Sequence, residues 1–390
     1  MKSVGGSAPS VIHVVPYYPP DRVGGVGEHV RVIHEGHIAA GFDSQILTSG
    51  ASRDDPLVHR VASTPTRFFL TSWKGLRLAR RCDVVHIHHG EGVLLALLLR
   101  LSRGRPYILL MFHVDVRKRE ISDRSHVFEG TTFGATGLKL AKRRLMGVLK
   151  SMVERLAWVL ADSAVVETRA VQREIADLRP KREVRVIAHG LGESPSYENE
   201  EPSHVELLFV GTPGVRKRTH LLPAILERVR EEVEGARLRV VGFTLDDDPG
   251  LKAEANRRGV TDSIEFVGRV RSEDVVPYYR AADVLLLPSA YEGLPMVLLE
   301  AMREGLVPVA TDVSGHPDAI NDDQNGILVP LDDVTGFGEK AARLLMDPVS
   351  RAASGRFSQE TIRADFSLAR ELGEYLQLYE ECSGRPGRRR

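Results

Sequence analysis

The sequence predicts an α/β protein made of two doubly wound, Rossmann-like domains that face each other across a cleft. Three observations support this prediction. Short apolar runs alternate with helical patterns through both halves of the chain. A polar, acidic stretch without periodicity, residues 192–204, separates the halves and is the best linker candidate. At 390 residues, the chain is also too long for one small core.

The first half begins with the apolar run VIHVV (11–15), a glycine-rich loop and a helix predicted from about Gly27 to Ala40. The runs that follow are short and bounded by polar or glycine residues, as buried strands of a parallel sheet are. Further strands with their exits are predicted at SQILTSG (44–50), DVVHIHH (83–89), YILLMF (107–112), VLADSAVV (159–166) and VRVIAHG (184–190).

The same pattern restarts after the linker candidate and predicts a second parallel sheet. Its strands with their exits are VELLFVG (205–211), RLRVVGF (237–243), IEFVGRV (264–270), DVLLLPS (283–289), LVPVATD (306–312) and GILVP (326–330). One helix is predicted over Leu221–Val233 and a last helix over Leu368–Glu381.

These patterns set the expected domain boundaries. We expect an N-terminal domain over residues 1–195, a C-terminal domain over 200–366, a C-terminal helix within 367–383 and a disordered tail at 384–390. Ligands of open parallel sheets bind at the carboxyl ends of the strands. A site is therefore expected in the cleft between the two domains.

Composition narrows the class of protein. The 53 basic and 53 acidic side chains cancel, so net charge provides no attraction to nucleic acid or to a membrane. The two cysteines, Cys82 and Cys382, lie far apart without metal-ligand spacing, which fits a reducing compartment. The apolar runs Val11–Val15 and Leu94–Leu101 are too short for a signal peptide and for a membrane span of ~20 residues. We expect a cytoplasmic protein.

The stretch from Val284 to Gly315 carries two carboxylates, Glu292 and Glu300, with seven residues between them. Pro295 suits the first turn of a helix, because its missing N–H costs nothing there. Glu292 then lies in the loop ahead of this helix, and Glu300 projects from it. Free N–H groups and the helix dipole between them can hold an anion such as a diphosphate, leaving the carboxylates for sugar hydroxyls. A capped core helix with two surface glutamates is the alternative.

Two other motifs suit a phosphate group, and each has a structural alternative. The motif GGVG (24–27) follows the first strand and precedes a helix, where glycine allows the backbone to approach a phosphate closely. A plain tight turn fits it equally well. The motif RKR (216–218) follows the strand that ends at Gly211 and suits anion capture. A solvated basic turn is the alternative there.

Histidines and acidic residues near strand ends give weaker signals. His86 and His88 share one face of a strand, and His89 lies on the other. We predict no metal site, because no carboxylate or cysteine lies at ligand spacing. His113, at a strand exit that faces the expected cleft, is the first candidate for a functional histidine. The acidic run DDD (246–248) precedes Pro-Gly and predicts a polar turn.

Taken together, these segments resemble the retaining glycosyltransferases of family 4, which have the GT-B fold of two Rossmann-like domains. The resemblance covers nearly the whole chain. It consists of GGVGEHVRVIHEGHIAAGFDSQILT, DVVHIHHG, the MFH exit, VIAHG, FVG followed by RKR, IEFVGRV, PSAYEGLPMVLLEAM and NGILVP, in this order. It implies a hexosyltransferase whose C-terminal domain binds a nucleotide-diphosphate sugar and whose N-terminal domain binds a hydroxyl acceptor. It also implies that the last helix crosses back to the N-terminal domain.

The resemblance implies roles for single residues. Glu292, His113 and Lys217 match the catalytic group, in which the lysine binds the diphosphate and the other two contact the transferred sugar. Glu300 matches the residue that binds the ribose. The implied donor-binding residues are Gly25, Arg216, Lys217, Gly242, Val270, Gly293, Leu294, Pro295, Met296, Val297 and Glu300. The implied acceptor-binding residues are Asp115, His89 and Glu91.

Two positions depart from the family pattern. Thr212 stands where the family usually has an arginine directly after the glycine of FVG. Arg216 or Arg218 would have to compensate for that arginine, or the donor is bound more weakly or differently. Asp318 stands where the family more often carries glutamate.

The implied reaction retains the anomeric configuration and needs no metal or cofactor besides the nucleotide sugar. Two alternatives stay open. One is a nucleotide-sugar-binding protein with weak or lost catalysis, which Thr212 favours. The other is a glycoside hydrolase that uses Glu292 and Glu300 as an acid–base pair. The basic groups at 117–119 and 139–144 read as solvated helix faces, with peripheral membrane contact as the alternative.

Overall fold

The structure, a computed structural model, describes residues 8–20, 25–52, 55–88, 90–112, 149, 152–178, 182–194 and 205–384. Two parallel β-sheets with flanking helices make up this part of the chain. The predicted α/β class with two doubly wound sheets is therefore confirmed. Residues 195–204 of the linker candidate and residues 385–390 of the predicted tail lie outside the described residues.

The N-terminal lobe is the first sheet with its helices. Its strands are β1 Ser10–Val14, β2 Asp43–Ser49, β3 Val58–Ala62, β4 Val84–Ile87, β5 Tyr107–Phe112, β6 Ser163–Val166 and β7 Val184–Val186. Their order across the sheet is β3-β2-β1-β4-β5-β6-β7. The helices in its described part are α1 Gly25–Ala39, α2 Pro65–Thr71, α3 Leu76–Ala79, α4 Val93–Arg100, α5 at 152–160 and α6 Arg169–Leu178.

The C-terminal lobe is the second sheet with its helices. Its strands are β8 Glu206–Val210, β9 Arg237–Val241, β10 Ile264–Gly268, β11 Val284–Leu287, β12 Val307–Thr311 and β13 Ile327–Val329. Their order is β10-β9-β8-β11-β12-β13. Its helices are α7 Leu222–Glu232, α8 Pro249–Arg258, α9 Val276–Ala281, α10 Met296–Arg303, α11 His316–Ala319, α12 Val334–Met346 and α13 Pro348–Asp365. The last helix is α14, Leu368–Ser383.

Three elements differ from the prediction. Strand β3 is not predicted, because it lies at the sheet edge with only Val58 buried and has no clear apolar run. The strand predicted from residue 159 begins at Ser163, because residues 159–160 end helix α5. Helix α1 begins at Gly25, two residues before its predicted start.

Side chains of the C-terminal sheet alternate between two cores, as the period of a strand requires. On β8, Leu207 and Phe209 point into the core beneath α7 and α12. Leu208 and Val210 point into the opposite core beneath α9 and α10. Because both faces are covered, the site has to lie at the ends of the strands.

The last helix packs on the N-terminal lobe, although it follows the C-terminal lobe in the chain. Tyr375 and Tyr379 are fully buried against Ile33 of α1 and Val84 of β4. Tyr379 Oη also lies 2.8 Å from His86 Nδ1. Helix α14 therefore connects the two lobes.

The chain crosses between the lobes at Gly190. A Cβ on Gly190 would lie 2.5 Å from the carbonyl oxygen of Ser367, where two backbone segments run side by side. The neighbouring Leu191 N–H donates to Phe366 O at 2.8 Å. Any side chain at position 190 would push this crossing apart.

We expect Gly190→Ala to lower the free energy of unfolding by about 1–3 kcal/mol, because a rigid backbone atom blocks the added methyl group. Thermal denaturation followed by circular dichroism measures the effect. Gly192→Ala is the matched control, since no atom lies within 4 Å of a Cβ there. Equal melting temperatures for both variants would show that the crossing is not closely packed.

Candidate active site

The topology brings two loops of the C-terminal lobe together. The strand order reverses between β8 and β11, and loops that leave neighbouring strands at such a point form a crevice at their carboxyl ends. The loop after β8 carries the RKR motif (216–218), and the loop after β11 carries Glu292. The backbone joins them where Ala290 N–H donates to Arg216 O at 2.8 Å.

Lys217 and Glu292 form a buried ion pair at this crevice. Lys217 Nζ lies 2.7 Å from Glu292 Oε1, and the two residues are only 7% and 5% exposed. Arg216 binds the other carboxylate oxygen of Glu292, and Ser289 Oγ donates to Oε1 at 3.0 Å. Two cations on one carboxylate leave the cluster with a net positive charge, which suits an anionic ligand.

The protonation of Glu292 follows from these partners. Burial raises the pKa of this carboxyl, but Lys217 and Arg216 outweigh burial, and the pKa ends below its usual value. Glu292 is therefore ionised at neutral pH. In the glycoside hydrolase alternative, an ionised Glu292 would be the base or nucleophile and not the acid.

Helix α10 presents its N-terminus beside this pair. It starts at Met296 after Pro295 in an extended conformation, with no side-chain cap. Leu294 is buried, and Met296 and Val297 pack partly against the same core, so mainly backbone groups are left facing outward. Uncapped N–H groups and the positive end of the helix dipole suit an anion.

Glu300 lies one helical turn further along α10. Its Oε2 accepts a hydrogen bond from Tyr279 Oη at 2.8 Å. Burial raises the pKa of Glu300 above its usual value, against the opposing effect of the Tyr279 bond. The expectation that Glu292 precedes the helix and Glu300 projects from it is met.

Three glycines lie at the ends of neighbouring strands. A Cβ on Gly242 would lie 2.2 Å from Gly211 O, and Gly242 N–H donates to Gly268 O at 2.7 Å. The exits of β8, β9 and β10 therefore meet backbone to backbone at the floor of the crevice. Val270, beyond β10, packs partly against the core beneath α10, so its side chain serves packing.

The two arginines beside Lys217 differ in orientation. Arg218 has a left-handed backbone (φ 50°) and binds Leu331 O and Asp332, with 3.3 Å from Nη2 to Oδ1 of the aspartate. It is therefore directed away from Glu292, and the position of the family arginine is taken by the exposed Thr212. Arg216, on Glu292, is the arginine that remains at the site.

The N-terminal lobe reaches the same crevice. Glu167, after β6, accepts a hydrogen bond from Leu294 N–H at 3.4 Å. Asp318 of α11 accepts a bond from Arg169 N–H, at the start of α6, at 2.8 Å. Burial raises the pKa of Asp318 above its usual value. The carboxyl ends of both sheets thus face each other, as predicted.

The residues expected from the N-terminal lobe are placed only in part. Gly25 lies in the first turn of α1, after β1, and Glu91 lies in the 3₁₀ turn that precedes α4. His89, His113 and Asp115 lie outside the described residues, as do the basic groups at 117–119 and 139–144.

Three contributing residues are not found from the sequence. Ser289 lies inside the PSAYEG segment, but nothing in the segment shows that its hydroxyl would bind Glu292. Tyr279 lies 21 positions before Glu300, and Glu167 lies 127 positions before Leu294. Only the fold brings these pairs together.

Comparisons with known proteins show which families the chain is similar to. Residues 204–347 match the family described as "Glycosyl transferases group 1", and residues 23–193 match "Glycosyltransferase Family 4". Glycogen synthase of Mycobacterium tuberculosis is 25% identical over 93% of this chain and 92% of its own length.

Solved structures show the same fold. Sucrose-phosphate synthase from Thermosynechococcus elongatus has a TM-score of 0.74 at 20% identity, covering 96% of this chain and 98% of that one. HepE from Anabaena, in complex with UDP and glucose, has a TM-score of 0.71 at 14% identity, covering 95% and 99%. Within the described ranges, none of the helices has both the length and the apolar character needed to cross a membrane.

Proposed function

We infer the function of this chain from its family and its crevice: it belongs to the family 4 glycosyltransferases with the GT-B fold and uses a nucleotide sugar. Within this activity, we propose a retaining transfer to a hydroxyl acceptor that requires neither a metal nor a cofactor at the reacting centre. The proposed transferase is a hexosyltransferase. Its acceptor is a small molecule, a glycan or a glycolipid.

The observation that carries this proposal is the buried pair of Lys217 and Glu292 beside the N-terminus of α10. A diphosphate placed there would accept hydrogen bonds from the ammonium group of Lys217 and from the backbone N–H groups of residues 293, 294, 296 and 297. Glu292, released from Lys217, would then accept hydrogen bonds from the sugar hydroxyls. Glu300 would bind the ribose hydroxyls.

This arrangement suits a reaction on one face of the sugar. The bond from the anomeric carbon to the diphosphate breaks, and the acceptor oxygen attacks from the same face. The departing diphosphate oxygen takes the proton of the acceptor hydroxyl, so the charges and atoms balance. Lys217 and the helix dipole stabilise the charge that develops on the diphosphate, which is the task that a metal ion performs elsewhere.

The lobes would close on the bound donor. Glu167 and Asp318 already connect the two lobes at the rim of the crevice. Closure orients the donor and the acceptor and excludes water from the reacting centre. Donor entry would have to displace Glu167 from Leu294 N–H.

A screen of UDP-, GDP- and ADP-sugars for slow donor hydrolysis and transfer tests the proposed function. We expect turnover with one nucleotide class, an anomeric configuration in the product equal to that of the donor by NMR, and no rate increase on adding Mg²⁺ or Mn²⁺. Clean inversion would refute the mechanism. Donor binding by calorimetry without turnover on any acceptor would support the binding protein with lost catalysis.

A further inference from the structure

A second polar cluster lies behind the candidate active site, where two elements of the N-terminal lobe meet the last helix. His29 belongs to α1, His189 follows β7, and Glu371 belongs to α14. His29 Nε2 lies 2.6 Å from Glu371 Oε1 and 2.8 Å from His189 Nδ1. His189 Nδ1 lies 3.5 Å from the same Glu371 oxygen. His189 and Glu371 are buried, and His29 is nearly so.

Protons alone do not account for this triangle. A ring nitrogen of histidine carries at most one hydrogen, which lies along a single direction. If His29 Nε2 donates to Glu371, it cannot also accept from His189. If His29 accepts from His189, its lone pair faces a carboxylate oxygen at 2.6 Å. No placement of hydrogens gives all three close pairs an ordinary hydrogen bond. A cation between His29 Nε2, His189 Nδ1 and Glu371 Oε1 would instead be bound by all three atoms.

The distances suit a transition metal. A triangle with these sides has a point about 1.1 Å off its plane that lies about 2.1 Å from all three corners, a usual distance from a transition metal to imidazole nitrogen and carboxylate oxygen. The three angles at that point are about 76°, 84° and 113°, which are nearer on average to one face of an octahedron than to a tetrahedron. Two histidines and one carboxylate are also a recurrent ligand set for zinc and for non-haem iron. Such a tripod leaves positions for water.

The ligands are oriented by further hydrogen bonds. The other ring nitrogen of His189, Nε2, lies 2.9 Å from Glu167 Oε1, which fixes the tautomer that leaves Nδ1 available as a ligand. The second oxygen of Glu371, Oε2, accepts from Gly190 N–H at 2.8 Å, so Oε1 is the ligand atom. Carboxylate–histidine–metal relays of this kind are typical of metal sites.

A second group of histidines serves as a comparison. His13, His86 and His88 converge in the N-terminal core, with 3.0 Å between His13 Nδ1 and His88 Nε2. All three are fully buried, and the group contains no carboxylate. A single imidazole–imidazole hydrogen bond explains its close pair, and a dication there would be buried without an opposite charge. The cluster with Glu371 has the negative charge that the first group does not contain.

We propose that His29, His189 and Glu371 bind one divalent transition-metal cation that joins helix α14 to the N-terminal lobe. The site lies next to the crossing at Gly190. The carboxylate of Glu167 links it to the active site, because Glu167 contacts both His189 and Leu294 N–H. The cation holds the hinge, and the transfer chemistry proposed above does not involve it. The sequence does not reveal this site, since His29 is 160 positions from His189, and His189 is 182 positions from Glu371.

Metal content and Co²⁺ binding test the proposal without any sugar substrate. We expect tag-free protein to contain about one zinc or iron per chain by mass spectrometry. We expect metal-stripped protein to bind Co²⁺ with visible d–d absorption and Zn²⁺ with a rise in melting temperature. Glu371→Gln and His29→Gln should each weaken Co²⁺ binding more than about tenfold.

Two controls keep the outcomes distinct. Glu380→Gln changes an exposed carboxylate on the same helix and should bind Co²⁺ like the wild type. Circular dichroism shows whether each variant is folded. If Glu371→Gln does not fold, His29→Gln is used to test the loss of Co²⁺ binding. A stripped wild type that is folded but shows neither Co²⁺ absorption nor a Zn²⁺-dependent melting temperature would overturn the proposal and leave a proton-sharing cluster. Donor turnover is unaffected by that result, so the two proposals fail separately.

Discussion

Replacing Lys217 by alanine is expected to lower kcat/KM for sugar transfer by about 10²–10³-fold, the usual effect of removing one preorganised charge or donor from a leaving group. The ammonium group lies in a buried position next to the uncapped end of α10, where its interaction with a diphosphate is only weakly screened. Steady-state kinetics with the donor found in the nucleotide-sugar screen measures the effect.

The loss has to come from chemistry and not from unfolding. Glu292 keeps Arg216 and Ser289 as partners in the variant, so its charge is not left alone in the crevice. Lys252→Ala is the matched control, because this lysine is half exposed and pairs with the exposed Asp246. A Lys217→Ala enzyme with wild-type kinetics would remove Lys217 from the site.

Replacing Glu300 by alanine is expected to abolish most transfer by weakening donor binding about ten- to a hundredfold. Each hydrogen bond between a carboxylate and a ribose hydroxyl contributes roughly 1.5–3 kcal/mol, and 1.4 kcal/mol corresponds to a factor of ten. Isothermal titration with the nucleoside diphosphate measures the loss of affinity directly.

The control for Glu300 is its neighbour Tyr279. The variant also removes the acceptor of the buried Tyr279 hydroxyl, which could change the packing of α10. Tyr279→Phe breaks the same hydrogen bond and keeps the carboxylate. Donor affinity should stay near that of the wild type in Tyr279→Phe. An equal loss in both variants would assign Glu300 a structural role only.

Much of the fold can be predicted from local sequence. Buried parallel strands such as β8 and β11 are continuous apolar runs, and the helix of the Glu292–Glu300 segment begins at the residue after Pro295. Both signals depend on neighbouring residues alone. The edge strand β3 has no such run, and the end of α5 merges with the start of β6, so local patterns fail there.

The candidate site could be predicted only in its parts. The sequence indicates Lys217 and Glu292 separately as ligands for the donor, but not that they bind each other at 2.7 Å when no donor is present. That contact depends on the reversal of strand order between β8 and β11, a property of the whole sheet. Of the two arginines proposed to compensate for Thr212, only Arg216 lies at Glu292, whereas Arg218 pairs with Asp332.

A crystal structure with the nucleoside diphosphate of the preferred donor is the most direct measurement. We expect the diphosphate to contact Lys217 Nζ and the N–H groups of residues 293, 294, 296 and 297. We also expect the 2.7 Å contact between Lys217 and Glu292 to be broken. A crevice that stays empty at saturating ligand, with the Lys217–Glu292 pair intact, would contradict the proposed donor site.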